Sequence, residues 1–152
     1  MTVYIGIDPG KSGAIAAIRG HTVWVADLHD ATDAEIYEFL MDCHSYEDET
    51  VAMIENVHAM PGQGVTSMFS FGENYGALKM ALSASGIPFE RVTPSVWQRH
   101  FSLIRLSSAE KKTDKKNRHK ARAQELFPQL KVKHSNADAL LIAEYCKRKW
   151  IG

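Results

Sequence analysis

An acidic residue at the end of an apolar run constrains this chain more than any other feature. Residues 3–8 are apolar up to Asp8, a Pro-Gly-Lys-Ser-Gly turn follows, and residues 14–18 are apolar again. This pattern predicts two paired strands joined by a tight turn. Asp8 would then stand where the first strand leaves the core. There it could bond the amides of the turn, or it could hold a metal ion on a rigid strand end.

Two further acids occupy comparable positions. Glu55 ends the apolar run 51–54, and Asp138 lies near the start of a segment whose apolar residues follow helical spacing. His134 precedes Asp138 by one helical turn. Strand ends and a helix start can bring these side chains into one oxygen-rich pocket, of the kind that Mg²⁺ prefers. Two such cations can activate a water and stabilise the leaving oxygen in phosphodiester hydrolysis.

Three segments carry a resemblance to a known family. GIDPGKSGAI, VAMIENV and HSNADALLIAEY, in this order, resemble the RuvC-type Holliday junction resolvases of the ribonuclease H-like superfamily, and their phage and prophage branch above all. The resemblance covers nearly the whole chain and implies one nuclease domain over residues 1–152. It also implies Mg²⁺ as the cofactor, with Mn²⁺ able to substitute. Asp8, Glu55 and Asp138 would be the catalytic, metal-binding acids.

The chain departs from many members of that family at Ser135, where they carry a further acid three residues before the last one. Because some relatives have a histidine near this point, the resemblance implies His134 as the fourth catalytic and metal-binding group. His134 could instead take a proton from the attacking water. Related resolvases also use a lysine near the scissile phosphate, where it can stabilise developing charge. Lys116 is the first candidate for that lysine, with Lys112 or Lys115 as alternatives.

The net charge of zero conceals a strong asymmetry. Residues 1–78 hold two basic and twelve acidic residues, whereas residues 79–152 hold sixteen basic and six acidic ones, so the halves carry −10 and +10. The densest basic stretch, 111–122, favours binding to DNA phosphates in a salt-sensitive way, although a solvated helix face would show the same pattern. Lys11 is also predicted to bind DNA, because the backbone amides of its turn could face a phosphate. The DNA-binding residues predicted in the basic stretch are Lys111, Lys112, Lys115, Lys116, Arg118 and Lys120.

The segment 59–72 mixes glycines with apolar side chains directly after the second acid. Met60 and Phe69 are predicted to stack on an unpaired base or to wedge into a branched DNA. A buried stripe is predicted for three residues spaced three and four apart, which are Met68, Phe71 and Tyr75. The resemblance implies that the helix 66–85 forms the interface of a homodimer.

The remaining pattern predicts the order of the elements. Strands are expected near 3–8, 13–19, 22–28, 51–55 and 87–92, and helices near 32–43, 66–85, from Pro94, 109–127 and 135–149. Three strands, a helix, a strand and then further helices and a strand match the α/β fold of the ribonuclease H-like proteins, a mixed five-stranded sheet flanked by helices. Trp97 and the two cysteines, Cys43 and Cys146, are expected in the core, the cysteines as free thiols.

The function predicted is a metal-dependent endonuclease that resolves four-way DNA junctions by paired symmetric nicks. The alternatives are a nuclease for branched DNA in general and a catalytically silent junction-binding protein. The first segment also resembles a phosphate loop of sugar kinases and actin-like ATPases, but 152 residues are too few for their two domains. The P-loop motif is incomplete, so no nucleotide cofactor is expected. No stretch approaches the roughly 18 apolar residues of a membrane span, and a cytoplasmic location is expected.

Overall fold

The computed structural model describes residues 1–44, 48–105, 107 and 109–151, without the side chain of residue 151. The strands are β1 (Thr2–Asp8), β2 (Ala14–Arg19), β3 (Thr22–Asp27), β4 (Glu49–Glu55) and β5 (Phe89–Val92). The helices are α1 (Asp33–Cys43), α2 (Val65–Ala84), α3 (Pro94–His100), α4 (Lys112–Leu126) and α5 (His134–Ile151). No helix within these described ranges is long and apolar enough to cross a membrane.

The five strands form one mixed sheet in the order β3-β2-β1-β4-β5. The first three strands are antiparallel, whereas β4 runs parallel to β1, and β5 parallel to β4. Ile7 of β1 is aligned with Ile54 of β4, so the next residue on each strand, Asp8 and Glu55, ends at the same edge. The predicted mixed five-stranded sheet is confirmed, and it places two of the three predicted acids side by side.

Helices cover both faces of the sheet, and the alternation of β1 decides which face each side chain meets. Ile5 and Ile7 pack with residues of α1 and α2 on one face, whereas Tyr4 packs with residues of α5 on the other. Asp8 lies an even number of residues from Tyr4, so its side chain points towards the α5 face. The strand period therefore directs Asp8 towards the helix that carries the third acid.

Gly6 allows α5 to lie directly on β1. A Cβ atom at this position would overlap the backbone N of Ala143 and the backbone O of Ala139, and would lie 2.7 Å from the Cα of Ala143. Only glycine permits such a close approach of two backbones. The contact sits one residue beyond Asp138, so it fixes the height of that carboxylate above the sheet edge.

The elements differ from prediction mainly at their ends. α2 closes before Gly86, as expected, through bonds from the Gly86 N–H to the Ser83 carbonyl and from the Ile87 N–H to the Leu82 carbonyl. Because the Ile87 amide closes the helix, β5 starts at Phe89 rather than at 87. α4 begins at Lys112 rather than at 109. The buried stripe on α2 is wrong for Met68, whose side chain is exposed, and correct for the buried Tyr75.

Candidate functional site

The three predicted acids line one open cleft of about 810 Å³ at the sheet edge where β1 and β4 end. Asp8 ends β1, Glu55 ends β4, and Asp138 lies in the first turns of α5. Side chains with positive charge or hydrogen-bonding capacity surround them, among them Lys11, Lys112, Lys115, Lys116, His119 and His134. The cleft therefore combines an acidic floor with a basic rim.

The carboxylates are close enough to repel one another. Burial raises the pKa of Asp8 well above its usual range, and the charges of Asp138 and Glu55 raise it further. Burial also raises the pKa of Glu55 to about 7, and the charge of Asp138 adds to this. A hydrogen bond from Trp97 and the charges of Lys115 and His119 act in the opposite direction. Three like charges in a partly buried cleft favour either a bound proton or a bound cation.

Trp97 links the core to this site. Its side chain is completely buried on α3, as predicted for a core residue, and its Nε1–H donates a hydrogen bond of 2.8 Å to Oε2 of Glu55. Pro94 begins α3, where the missing N–H costs nothing, and sets the ring one turn later under the sheet edge. The bond orients the carboxylate of Glu55 at the end of its strand.

His119 is a site residue that the sequence did not reveal. Its ring is buried on α4, and Nδ1 lies 2.8 Å from Oδ1 of Asp138. Within a helix so rich in charge, His119 and Ala123 are the two buried residues, four positions apart. The spacing of these two residues was the signal in the sequence that could have identified His119, but it lies within a run of basic residues that predicts an exposed helix.

His134 and Ser135 lie at the rim of the cleft, where α5 begins. The Nε2–H of His134 donates a hydrogen bond of 2.8 Å to Oδ1 of Asn117 on α4. The Ser135 hydroxyl is 3.4 Å from Oδ1 of Asp27, at the end of β3. The structure thus brings His134 into the cleft with the acids, as the sequence predicted, with its Nε2 already engaged.

The predicted DNA-binding residues divide into two groups. Four lysines line the cleft, namely Lys11, Lys112, Lys115 and Lys116. Lys111 and Lys120 lie outside the cleft on α4 or at its start. Met60 and Phe69 also lie outside it, with 56% and 73% of their surface exposed. These four residues could meet DNA only where it extends beyond the cleft.

Arg118 is the predicted DNA-binding residue that bonds most extensively to the protein itself. Its Nε and one terminal N–H group donate to the two carboxylate oxygens of Glu110 at 2.6 and 2.9 Å. Its other terminal N–H group lies 3.3 Å from the Leu103 carbonyl oxygen. Three of its five N–H groups are thus engaged within the protein, so Arg118 anchors the segment that leads into α4. Its contact with DNA stays a prediction.

The donor set fits a hard divalent cation. Across the part of the chain that the structure describes, no group of three or more His, Cys, Asp or Glu side chains is arranged to hold a metal ion. Mg²⁺, however, commonly keeps several waters and uses only one or two carboxylates. Mutually repelling carboxylates suit such an ion, whereas the described cysteines, Cys43 and Cys146, are buried free thiols. The site is thus chemically suited to Mg²⁺ or Mn²⁺.

The raised pKa of Glu55 predicts how pH changes the stability of the metal-free protein. The folded chain retains a proton on Glu55 up to about pH 7, whereas the ordinary value is 4.5. The penalty for ionising Glu55 in the fold is therefore absent below about pH 4.5 and complete above pH 7. Melting in EDTA should show that Glu55→Gln raises the melting temperature more at pH 8 than at pH 5.5.

This comparison isolates Glu55 from His100, whose pKa is lowered by burial and whose contribution has the opposite sign. An effect of Glu55→Gln that is equal at both pH values would contradict the burial argument.

Comparison with known proteins adds evidence on the fold. No protein-family model matches the chain, and no curated protein matches it in sequence. A structure of Thermus thermophilus RuvC in complex with a Holliday junction substrate superposes with a TM-score of 0.61 and 16% identity, covering 94% of this chain and 90% of that one. A structure of Thermus thermophilus RuvC gives a TM-score of 0.58 and 17% identity, covering 97% and 96%. A phage-like branch stays a prediction. At these identities the likeness concerns architecture, and it shows that this chain has the α/β fold of RuvC.

Proposed function

We propose that this chain is a divalent-cation-dependent endonuclease that resolves four-way DNA junctions by paired, symmetric hydrolytic nicks. The observation that carries the proposal is the convergence of Asp8, Glu55 and Asp138 in a cleft whose rim is basic. The fold supports it, because one structure with this architecture is a RuvC bound to a Holliday junction substrate. A phosphodiester entering the cleft would meet cations at the rim and carboxylates at the floor.

Two of the three acids would hold the cation directly and waters would complete its coordination, because no three side chains of the described residues are arranged as a metal site. Asp8 and Glu55 offer oxygens from two rigid strand ends, and Asp138 offers oxygens from α5 above them. When bound, Mg²⁺ or Mn²⁺ would supply a Lewis acid that lowers the pKa of a water and neutralises charge on the phosphate. His134, at the rim, would accept a proton from the attacking water through its Nδ1, because Nε2–H is engaged with Asn117.

The lysines at the start of α4 would bind the phosphate. Lys112, Lys115 and Lys116 all line the cleft. Lys115 is close enough to Glu55 to lower the pKa of that carboxyl, so it joins Lys116 as a candidate for the lysine beside the scissile phosphate. An ammonium group there would stabilise the charge that develops on the phosphoryl oxygens. Lys11 would meet the strand from the opposite rim, on the β1–β2 turn.

Changing the three α4 lysines together to glutamine should weaken junction binding and make it less sensitive to salt. Three lost phosphate contacts should reduce the slope of log affinity against log salt concentration by about 2 to 3. Fluorescence anisotropy over a salt series in Ca²⁺ measures the slope. A matched triple at Lys131, Lys147 and Lys149, which do not line the cleft, removes the same charge. Equal slopes for the two triples would refute the assignment.

Paired nicks require two sites, which a homodimer would supply. α2 leaves large apolar side chains exposed, with Val65 at 85%, Phe69 at 73% and Met80 at 67%. We propose that this helix forms the dimer interface and that Phe69, at its first turns, also reaches the DNA. Sedimentation should give twice the chain mass for the wild type and the single mass for Met80→Glu. A wild-type protein with the single mass when bound to a junction would exclude the dimer.

A substrate panel separates this proposal from a general nuclease for branched DNA. Immobile four-way junctions, Y-shaped DNA, nicked duplex and linear duplex are each incubated with Mg²⁺ at equal concentration. Cleavage restricted to the four-way junction would support the resolvase. Equal cleavage rates on the four-way junction and the Y-shaped DNA would contradict the resolvase and support a general nuclease for branched DNA.

A further inference from the structure

Two buried aromatic rings each bond a different carboxylate of the site. The Nε1–H of Trp97 donates to Oε2 of Glu55 at 2.8 Å, and Nδ1 of His119 lies 2.8 Å from Oδ1 of Asp138. Because an ionised carboxylate only accepts hydrogen bonds, the proton of the second bond belongs on Nδ1. Trp97 is completely buried and His119 is 4% exposed, so both rings approach the carboxylates from the protein interior.

The two rings also contact each other. Their centroids are 5.4 Å apart and their planes meet at 70°, an edge-to-face arrangement. Trp97 belongs to α3 and His119 to α4, whereas the carboxylates belong to β4 and α5. A continuous path of contacts therefore runs from Glu55 through both rings to Asp138 and ties together four elements. Movement of either ring would change the separation of the two carboxylates.

The second ring nitrogen of His119 makes histidine an unfavourable residue for packing alone. Nε2 is buried, and the described residues offer it no hydrogen-bond partner. Such an unpartnered polar atom costs about 1–3 kcal/mol. An apolar side chain of similar size would avoid this cost if His119 served packing alone. The bond from Nδ1 to Asp138 is the interaction that only the imidazole supplies at this position.

We infer that Trp97 and His119 are positioning residues, which jointly fix Glu55 and Asp138 at the orientation and separation that a divalent cation needs. The inference rests on the proposed function, because the cation belongs to it. Neither ring needs to touch the cation or the DNA. Groups that orient metal ligands in this way commonly change metal affinity by 10- to 100-fold when they are removed.

The test measures Mn²⁺ binding to the DNA-free protein by electron paramagnetic resonance, with the melting temperature of each variant in EDTA. Trp97→Phe keeps an aromatic ring but removes the donor. His119→Leu removes both nitrogens, and His119→Asn places an amide N–H near the position of Nδ1. Phe101→Leu is the matched control, since Phe101 is a buried aromatic residue directly after α3 that does not line the cleft, and its ring packs on His100, Arg122 and Arg148.

We expect Trp97→Phe and His119→Leu each to weaken Mn²⁺ binding at least about tenfold. His119→Asn should recover most of that loss, and Phe101→Leu should lower the melting temperature without changing Mn²⁺ affinity. The double variant should lose less than the product of the single losses, because the two rings are in contact. In junction cleavage, the Mg²⁺ concentration for half-maximal rate should rise more than the rate at saturating Mg²⁺ falls.

Two results would overturn the inference, and they differ in meaning. If both donor variants melt at lower temperature but bind Mn²⁺ as the wild type does, the rings are structural and the proposed function stands. If the wild type binds no Mn²⁺ at all, the proposed function fails and this inference fails with it. Should Trp97→Phe not fold, the contrast between His119→Leu and His119→Asn decides the question alone.

Discussion

Asp8→Asn should reduce cleavage of a four-way junction by at least about a thousandfold while the junction is still bound. Asp8 ends β1 in the floor of the cleft, where an amide supplies one oxygen without charge to a divalent cation. Losing several kcal/mol of transition-state stabilisation corresponds to a rate loss of this size. Gel assays of cleavage in Mg²⁺ and of binding in Ca²⁺ measure the two effects separately.

The same substitution should stabilise the metal-free protein. Burial and the charges of Asp138 and Glu55 raise the pKa of Asp8, so its ionised form opposes folding. At pH 8 in EDTA, Asp8→Asn should therefore melt at a higher temperature than the wild type. Asp42→Asn, on α1 at the opposite face, is the matched control and should change neither cleavage nor this comparison. Cleavage by Asp8→Asn at nearly the wild-type rate would remove Asp8 from the site.

Gly6→Val should be among the most destabilising substitutions in the chain. A Cβ at Gly6 overlaps backbone atoms of Ala139 and Ala143, and a helix backbone cannot yield as the end of a flexible side chain can. α5 must then move off β1, at a cost of about 4 kcal/mol or more in free energy of unfolding. Because Asp138 lies on α5, any folded fraction should also cleave poorly. Urea denaturation measures the loss in free energy of unfolding, and an assay of junction cleavage measures the loss of activity.

Gly76→Ala provides the contrast for that experiment. Apart from the adjoining backbone of α2 itself, no heavy atom of the described residues lies within 4 Å of a Cβ built at Gly76, in the middle of that helix. Alanine favours a helix over glycine by up to about 1 kcal/mol, so Gly76→Ala should leave the protein as stable or more so when it is made in the Met80→Glu background, which separates it from the proposed dimer interface. A Gly6→Val protein as stable as Gly76→Ala would show that α5 does not lie as close to β1 as described.

Local pattern was sufficient to predict the sheet and the acids. Asp8 and Glu55 each end an apolar run, and the parallel pairing of β1 with β4 brings such ends to one edge. The helical spacing around Asp138 was equally clear, because a helix buried along one face repeats its apolar residues. These elements are long and strongly periodic, and tertiary contacts did not override them.

The interactions between segments distant in sequence could not be predicted in this way. His119 contacts Asp138 only because α4 packs on α5, and Trp97 reaches Glu55 across 42 positions of sequence. In the sequence, Arg118 is one of many basic residues, whereas in the structure it forms an ion pair with Glu110. Met68 was expected in the core, but its side chain is exposed on α2. Each of these depends on which surfaces meet, which no local periodicity records.

The most direct test of the account is nick mapping on a synthetic immobile four-way junction, labelled in turn on each strand, with Mg²⁺ or with EDTA. We expect nicks at symmetric positions on two opposing strands, present with Mg²⁺, absent with EDTA and absent with Asp8→Asn. Nicks that persist in EDTA, or a junction that is bound tightly and never cut in Mg²⁺ or Mn²⁺, would contradict it.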